Sequence, residues 1–215
     1  MARASTDQLV GLLEDAARRA ASGSELEVLG SPDGPAPAAV LGFTGRCVVA
    51  SAAPESWVRA TLRGEQPFAG LKPRFIVALE EKLGLRNDGI DVVTVAEGLH
   101  GPASLRPVAA SRHPRVMRAV DYRVDVQAYE AAGGAVVIIG RGLARRMEVA
   151  VEVAESERGR GHGRRGLLEA RRLIGPGNLL FAQCAPGNAA SLRALLSAGF
   201  RPIGSEVLFH PQAEA

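Results

Sequence analysis

Lysine is nearly absent from this chain: Lys72 and Lys82 are the only two lysines among 215 residues, and arginine supplies the remainder of the 26 basic side chains. Aromatic residues are also scarce, at 4%. None of them alternates with the basic residues that cluster around 158–172, so this cluster offers no platform for base stacking. A nucleic-acid partner is therefore not expected.

Cysteines and long hydrophobic runs are lacking as well. Cys47 and Cys184 lie far apart without the spacing of metal ligands, which predicts reduced thiols, a cytoplasmic protein and no metal site. No apolar run approaches the ~18 residues that a membrane span needs, so no membrane association is expected. Acids at Asp7, Glu14 and Asp15 argue against a signal or transit peptide.

What remains is an ordinary globular composition, with 47% hydrophobic residues, 23% charged residues and a formal net charge of +3. Such a chain can build a core in one large or two small domains. For the first half, hydrophobic spacing and the Pro and Gly positions predict an ordered set of elements. They are an N-terminal helix built on Leu9, Leu12, Leu13 and Ala16, a loop at 31–39, a strand with an internal turn at 40–51, helices at 54–64 and 71–85, a strand at 89–98 and a surface loop at 99–114.

Beyond residue 120 the pattern changes to the two-residue period of half-buried strands. Strands at 121–131, 135–140 and 147–153, joined by turns, predict an antiparallel meander. On its first strand, one face should carry Tyr122, Val124, Val126 and Ala128 and the other Arg123, Asp125 and Gln127. On its third strand, one face should carry Met147, Val149, Val151 and Val153 and the other Glu148, Ala150 and Glu152.

A loop rich in glycine and arginine, "ERGRGHGRRG" at 157–166, follows this meander and precedes a helix built on Leu167, Ala170 and Ile174. Glycines allow successive backbone N–H groups to converge, and a helix start adds unpaired donors and a positive dipole end, so an anion such as phosphate is favoured there. A strand at 178–186, a helix at 187–200 capped by Asn188 and a short strand at 205–211 complete the predicted order.

Two familiar phosphate loops do not fit. A P-loop ends in Gly-Lys-Ser/Thr, whereas Arg164 and Arg165 stand at the corresponding place. Gly161, Gly163 and Gly166 do spell the dinucleotide pattern G-x-G-x-x-G, but no acid follows at the end of the next strand, and an antiparallel meander precedes the loop.

A third pattern accounts for more of the chain. "VAESERGRGHG" at 153–163 resembles the acyl-CoA signature of the GNAT superfamily of N-acetyltransferases, Arg/Gln-x-x-Gly-x-Gly/Ala after a strand, with Arg158, Gly161 and Gly163 in the matching positions. "NAASLRALLSAGF" at 188–200 resembles a later block of the same superfamily, in which asparagine opens a helix that ends in Gly-Phe. The resemblance covers 120–209, whereas the first hundred residues match only as a strand followed by two helices.

The resemblance implies that acetyl-CoA is the cofactor and that an amine receives its acetyl group. It implies a pantetheine contact at the strand edge around Val151 and Val153, and further cofactor contacts from Asn188 and Ser191. The backbone N–H groups that would bind the CoA pyrophosphate are those of Arg158, Gly159, Arg160, Gly161, His162, Gly163 and Arg164.

The catalytic groups are less completely specified. An attacking amine must be neutral and is mostly protonated at pH 7, so a base is needed, for which Glu148 and Glu152 are the candidates; either could instead be solvated on an exposed face. Many members of the superfamily carry a tyrosine that protonates the leaving thiolate, and Leu195 stands in its place here. Tyr122 and Tyr129 remain open as substitutes.

The sequence therefore predicts a mixed α/β, GNAT-like fold with a central, largely antiparallel twisted sheet flanked by helices. Residues 1–115 should form an N-terminal helix and a diverged first half of the fold or an added lobe, and residues 116–215 the acetyl-CoA-binding core. Two functions remain open: an N-acetyltransferase acting on a small-molecule or protein amine, and a non-catalytic acyl-CoA-binding or regulatory protein. A homodimer also remains open.

Overall fold

The computed structural model describes residues 2–18, 25–62, 69–109 and 113–212. The chain divides into two compact units: unit 1 comprises 1–92 and 203–215, and unit 2 comprises 93–202. The sequence-based boundary at 115/116 stays a prediction. The strand near 91–97 contributes mainly to unit 2, and the last strand pairs with strands from the first half of the chain, so unit 2 begins and ends earlier in the sequence than the predicted 116–215 core.

Unit 1 begins with helix α1 (Ala2–Arg18), which buries Leu9 and Leu13 of the predicted face together with Ala17, whereas Leu12 and Ala16 are half-buried. Strands β1 (Glu25–Leu29), β2 (Ala38–Phe43) and β3 (Arg46–Ala50) follow, with β1 parallel to β3 and β2 antiparallel to β3. Helices α2 (Glu55–Thr61) and α3 (Pro73–Leu83) come next, and then the short strand β4 (Leu85–Asn87). The last strand described, β11 (Arg201–Pro211), pairs antiparallel with both β2 and β4.

The core of unit 1 lies between this sheet and its helices. Val40, Val49 and Phe209 from the strands pack with Val58 of α2 and Phe75 of α3. Helix α3 has proline in its first turn and ends at Gly84, which adopts the left-handed conformation (φ 65°) that terminates many helices.

Unit 2 contains the predicted meander and the loop that follows it. Its elements are β5 (Asp91–Glu97), β6 (Arg106–Pro107), α4 (Pro114–Val120), β7 (Val124–Ala131), β8 (Ala135–Arg141), β9 (Met147–Glu152), α5 (His162–Ile174), β10 (Leu179–Cys184), α6 (Ala189–Ser197) and the start of β11 (Arg201–Pro211). Within the unit the strand order is β5-β10-β9-β8-β7-β6. The pairs β6·β7, β7·β8 and β8·β9 are antiparallel, and β9·β10 is parallel. The predicted fold class, mixed α/β with a largely antiparallel sheet flanked by helices, is confirmed.

Helices cover both faces of the meander. On one face, Val116 and Ala119 of α4 pack against Ala128, Ile138 and Ala150. On the other, α5 approaches so closely at Gly166 that a Cβ atom there would lie 3.0 Å from Val137 Cγ2 and 3.4 Å from Val151 Cγ1. Glu148, Ala150 and Glu152 therefore share the α4 face, and Val151 lies on the α5 face, as the alternation along β9 predicted.

The structure departs from the sequence-based prediction at the start of the meander. Helix α4 was not predicted, and β7 begins at Val124 rather than near 120. The register between β7 and β8 shifts between Val124 and Gln127, and Asp125 has a left-handed backbone (φ 53°). This β-bulge interrupts the simple alternation of faces that was expected along the strand.

Candidate functional site

The loop between β9 and α5 turns on two left-handed glycines. Gly159 has φ 76° and Gly161, which directly precedes α5, has φ 78°. Side-chain-bearing residues adopt this conformation at a cost, so glycine is favoured at both positions. At Gly163 a Cβ atom would find only ordinary contacts, 3.7 Å from Val153 Cγ2 and 3.9 Å from Ala194 Cβ.

The backbone N–H groups of residues 159–164 form a run of unused donors. The amide of Arg158 donates to the carbonyl of Glu155 (3.2 Å), and the amide of Arg165 donates to the carbonyl of Gly161 (3.0 Å). Between them, no amide donates a hydrogen bond to any residue that the structure describes. Arg158 was among the predicted amide donors, and its N–H is thus already engaged. The other predicted donors remain available at the positive end of α5.

Arg165, although exposed, bonds back to this loop. Its Nη2 donates to the carbonyl of Arg160 (2.9 Å) and lies 2.9 Å from His162 Nδ1. The His162 ring is largely buried, with its Nε2 3.4 Å from Glu157 Oε2 and its Nδ1 3.2 Å from the carbonyl of Ala132. His162 is therefore part of the loop's own packing.

The remaining arginines of the loop point in different directions. Arg160 Nη1 pairs with Glu157 Oε2 (3.3 Å), and Arg164 Nε donates to the carbonyl of Ser197 at the end of α6 (2.9 Å). Arg158 is exposed, with its Nε 3.4 Å from the carbonyl of Val153. All of them raise the positive potential around the free amides.

Strand β9 has an open edge next to this loop. It pairs with β8 over residues 147–152, but among the described residues its pairing with β10 is recorded only between Glu148 and Phe181. Past this pair, toward Val151 and Val153, the side of β9 that faces β10 has backbone groups without a strand partner. An extended chain with amide groups can pair with such an edge.

Glu148 lies at the position of β9 that pairs with β10 and is buried, with 3% of its side chain exposed. Its Oε2 accepts a hydrogen bond from Arg123 Nε and its Oε1 accepts one from Arg146 Nε, both at 2.8 Å. Arg123 also donates from Nη2 to Gln183 Oε1 at 3.3 Å. The Arg146 guanidinium lies over the Phe181 ring, 5.4 Å from its centroid. We call Arg123, Arg146, Glu148 and Gln183 the Glu148 cluster.

Two glycines make room for the Glu148 cluster. A Cβ atom at Gly142 would lie 2.2 Å from Glu148 Oε1, and one at Gly140 would lie 3.0 Å from Arg123 Cβ. The stem of Arg123 therefore crosses β8 over Gly140 to reach Glu148. Any larger residue at Gly142 would displace the carboxylate.

The arginines keep Glu148 ionised. Burial acts to raise the pKa of Glu148, but the charges of Arg146 and Arg123, the hydrogen bond from Arg146 and the nearby Gln183 amide outweigh it, so the pKa lies below its usual value of 4.5. A carboxylate whose pKa is lowered and whose oxygens are both engaged is a weak proton acceptor.

Glu152, the second predicted base, ends β9 and is exposed. It lies near Arg115 of α4, whose pKa is lowered mainly by burial and further by the like charges of Arg118 and Arg123. The negative charge of Glu152 acts in the opposite direction and raises the pKa of Arg115. The α4 face of the meander thus carries several arginines and two carboxylates within interaction range.

The remaining predicted residues lie on α6 and β7. Asn188 caps α6, its side-chain oxygen accepting a hydrogen bond from the Ser191 amide (3.1 Å), which confirms the predicted N-cap; their cofactor contacts stay predictions. Leu195 is buried, with 5% exposed. Tyr129 donates its hydroxyl hydrogen bond to Gln127 Oε1 (2.5 Å), and Arg118 lies over the Tyr122 ring.

Sequence reasoning missed Arg123, Arg146, Arg165 and Gln183. The sequence offers a signal for only one of them: Arg165 lies four positions after Gly161, which places its side chain over the first turn of α5. No helix within the described residues is long and apolar enough to cross a membrane. The same part of the chain contains no group of three His, Cys, Asp or Glu side chains that could hold a metal ion.

Solved structures similar to the chain include a GNAT-family protein from Novosphingobium aromaticivorans, with 18% identity over 60% of this chain and 69% of that one and a TM-score of 0.39. An acetyltransferase from the GNAT family from Colwellia psychrerythraea has 13% identity over 58% of this chain and 56% of that one, with a TM-score of 0.39. These neighbours are GNAT-family proteins. A GCN5-related N-acetyltransferase from Kribbella flavida has 15% identity over 97% of this chain and 96% of that one, with a TM-score of 0.38.

These neighbours are named as members of the same GNAT superfamily whose motifs resemble residues 153–163 and 188–200 of this chain. No protein-family model and no curated protein matches the chain.

Proposed function

We propose that this protein binds acetyl-CoA through unit 2 and transfers the acetyl group to an amine by direct attack. The observation that carries the proposal is the run of unused amides at residues 159–164, held at the start of α5 by two left-handed glycines. Unpaired amides at a helix N-terminus favour a phosphate group energetically, and the neighbouring arginines add charge.

The open edge of β9 supports the same proposal. It begins after the Glu148–Phe181 pair and leads to the 159–164 loop, so one elongated ligand with a diphosphate at one end and amide groups along its arm can use both. Acetyl-CoA, when bound, supplies an acetyl thioester for transfer. An unpaired N–H on β9 can orient and polarise a carbonyl group, which is the device of an oxyanion hole.

Of the two predicted bases, we assign the proton-accepting role to Glu152. Both oxygens of Glu148 are hydrogen-bonded to arginines, and its pKa is lowered. Glu152 is exposed on the α4 face of β9 and is free to accept a proton from an approaching ammonium group, directly or through water. Glu148 then acts as the anchor that fixes Arg123 and Arg146.

The test is calorimetric titration with acetyl-CoA of the native protein and of two glycine variants. The double variant Gly161→Val/Gly163→Val places side chains beside the free amides and strains the loop. Gly177→Val is the matched control, since Gly177 is also left-handed (φ 80°), has nothing within 4 Å of a built Cβ atom and lies outside the loop. We expect the double variant to abolish detectable binding. The control should leave the dissociation constant within about twofold, which is well below the tenfold change that ~1.4 kcal/mol of binding free energy produces. Equal affinities for all three proteins would refute the loop assignment.

Leu195 favours a second candidate, an acyl-CoA-binding protein without transferase activity. Leu195 is buried in the position where the superfamily often has a tyrosine, so no acid for the leaving thiolate stands there. A thiol-release assay over a panel of amines distinguishes the two: CoA released in proportion to an added amine supports the transferase, and binding without release supports the second candidate.

A further inference from the structure

Residues with strained backbone conformations flank the Glu148 cluster. Among the described residues, the only non-glycine residues with positive φ are Asp125 (53°), Ala144 (50°) and Arg145 (59°). Asp125 follows Arg123 by two positions, and the other two directly precede Arg146. Such backbone conformations cost free energy and persist where surrounding structure holds them, often at functional sites. The strain here flanks the two arginines that hold Glu148.

Arg123 is the member of this cluster that reaches the surface. Its side chain is 14% exposed, whereas that of Arg146 is 2% exposed. Nε of Arg123 donates to Glu148 and Nη2 donates to Gln183, while no hydrogen bond from Nη1 to a described residue is present. Because arginine only donates, the contact also fixes the orientation of the Gln183 amide, with Oε1 toward Arg123.

With Gln183 Oε1 directed toward Arg123, the Nε2 group of the same amide is directed away from Arg123. Its Nε2 is buried and makes no hydrogen bond of normal geometry with a described residue, although the amide lies close enough to Glu148 to help lower the pKa of that carboxylate. Gln183 lies on β10 just past the Glu148–Phe181 pair, where β9 and β10 cease to pair. Arg123 Nη1 and Gln183 Nε2, two donors without a hydrogen-bond partner among the described residues, thus lie beside Glu148, where β9 and β10 cease to pair.

The charges around this point favour an anion. Arg123 shares the Glu148 carboxylate with Arg146, and both Arg118 and Arg123 lie close enough to Arg115 of α4 to help lower its pKa, which burial also lowers. The acids that face them are Glu148 and Glu152, both on β9. A planar guanidinium with a free Nη in a largely buried setting is suited to a carboxylate.

We propose that Arg123, supported by the Gln183 amide, binds a carboxylate group of the acceptor, so that the preferred acceptors are small amino acids rather than simple amines. This inference rests on the proposed acetyl transfer. Arg123 is then a specificity-determining residue that touches the acceptor, and Glu148 is a positioning residue that acts through Arg123.

The experiment measures thiol release with matched pairs of acceptors, each an amino acid and the amine that lacks its carboxylate, such as alanine with ethylamine and phenylalanine with phenethylamine. It uses the full chain and saturating acetyl-CoA. For at least one pair we expect kcat/KM to be tenfold or more higher for the amino acid, since a charge-assisted hydrogen bond in a partly buried site supplies a preference of that size.

Arg123→Lys separates specificity from structure, because lysine keeps the positive charge beside Glu148 but lacks the guanidinium fork. We expect KM for the amino acid to rise at least tenfold while the dissociation constant of acetyl-CoA and the KM of the matched amine stay unchanged. Arg106→Lys is the control. Arg106 also pairs with a carboxylate, with 2.6 Å between its Nη2 and Glu130 Oε2, but this pair is exposed. It should change neither KM.

Each outcome bears on one of the two proposals. Failure to bind acetyl-CoA overturns the proposed function. Turnover that shows no preference for amino acids, or an Arg123→Lys variant that raises both KM values equally, overturns the carboxylate assignment alone. If acetyl-CoA binds without turnover, titration of an N-acetylamino acid into the CoA-bound protein replaces the kinetics, and the absence of binding at millimolar concentration overturns the assignment.

Discussion

Replacing Glu148 with glutamine tests the central feature of unit 2, because it removes one charge from a buried ion pair while keeping the size of the side chain. Both carboxylate oxygens accept a hydrogen bond of 2.8 Å from an arginine Nε, and only 3% of the Glu148 side chain is exposed. Breaking a buried pair by removing one partner leaves the other charge uncompensated, which typically costs about 3–5 kcal/mol. We expect the free energy of unfolding to fall by about this amount.

The matched control is Glu130→Gln. Glu130 also bonds an arginine, with 2.6 Å between its Oε2 and Arg106 Nη2, but the two side chains are 39% and 74% exposed. Exposed pairs contribute about 0–1 kcal/mol, so this variant should stay within that range. Urea unfolding followed by far-ultraviolet circular dichroism gives both values. A Glu148→Gln variant that loses no more than Glu130→Gln would refute the reasoning.

The pH dependence provides a second readout. The folded-state pKa of Glu148 lies below the unfolded value, so the unfolded state binds more protons as the pH falls toward and below 4.5, and the stabilisation from Glu148 is lost in that range. Above it the contribution is fully present. The difference in stability between the native protein and Glu148→Gln should therefore be constant near neutral pH and shrink as the pH is lowered through the folded-state pKa.

Three further results are expected. Glu152→Gln should lower kcat about 10²–10⁴-fold at pH 7 without changing acetyl-CoA affinity, and the deficit should narrow at higher pH as more of the amine is neutral; an unchanged rate would remove Glu152 as the base. Gly166→Leu should lower the free energy of unfolding in urea by about 1–3 kcal/mol, because α5 contacts Val137 and Val151 at this position. Gly187→Leu, with open space around its Cβ position, should leave it unchanged. Equal losses of stability in the two variants would contradict the close approach of α5. Burial raises the pKa of the Cys47 thiol to about 11, so at pH 8 it should react with a thiol reagent only after denaturation, and rapid labelling of the folded protein would contradict this.

The sequence predicted features of the site that depend on local chain geometry. The glycines of the 157–166 loop, the Asn188 cap and the alternation along β9 each involve residues close in sequence, so spacing alone identifies them. Helix α4 was missed because it spans only Pro114–Val120, too short for its buried residues Val116 and Ala119 to establish a period. The bulge at Asp125 was missed because a left-handed aspartate has no clear sequence signal.

The true environment of Glu148 was beyond sequence reasoning for a different reason. Arg123 is 25 positions away and reaches Glu148 across β8, which requires the absence of a side chain at Gly140. Gln183 comes from another strand again. The alternation along β9 placed Glu148 on the correct face but could not show that two arginines bury it there. The assignment of a base therefore depended on contacts between distant residues.

The membership of β11 in unit 1 has a consequence for synthesis of the chain. The strand that pairs with β2 and β4 is made after all of unit 2. During translation, β2 has an unpaired edge and core side chains such as Val40 stay exposed until residues 203–211 leave the ribosome. Nascent chains halted before residue 203 should accordingly be more vulnerable to proteases and chaperone binding in their first ninety or so residues than in the continuous segment that follows.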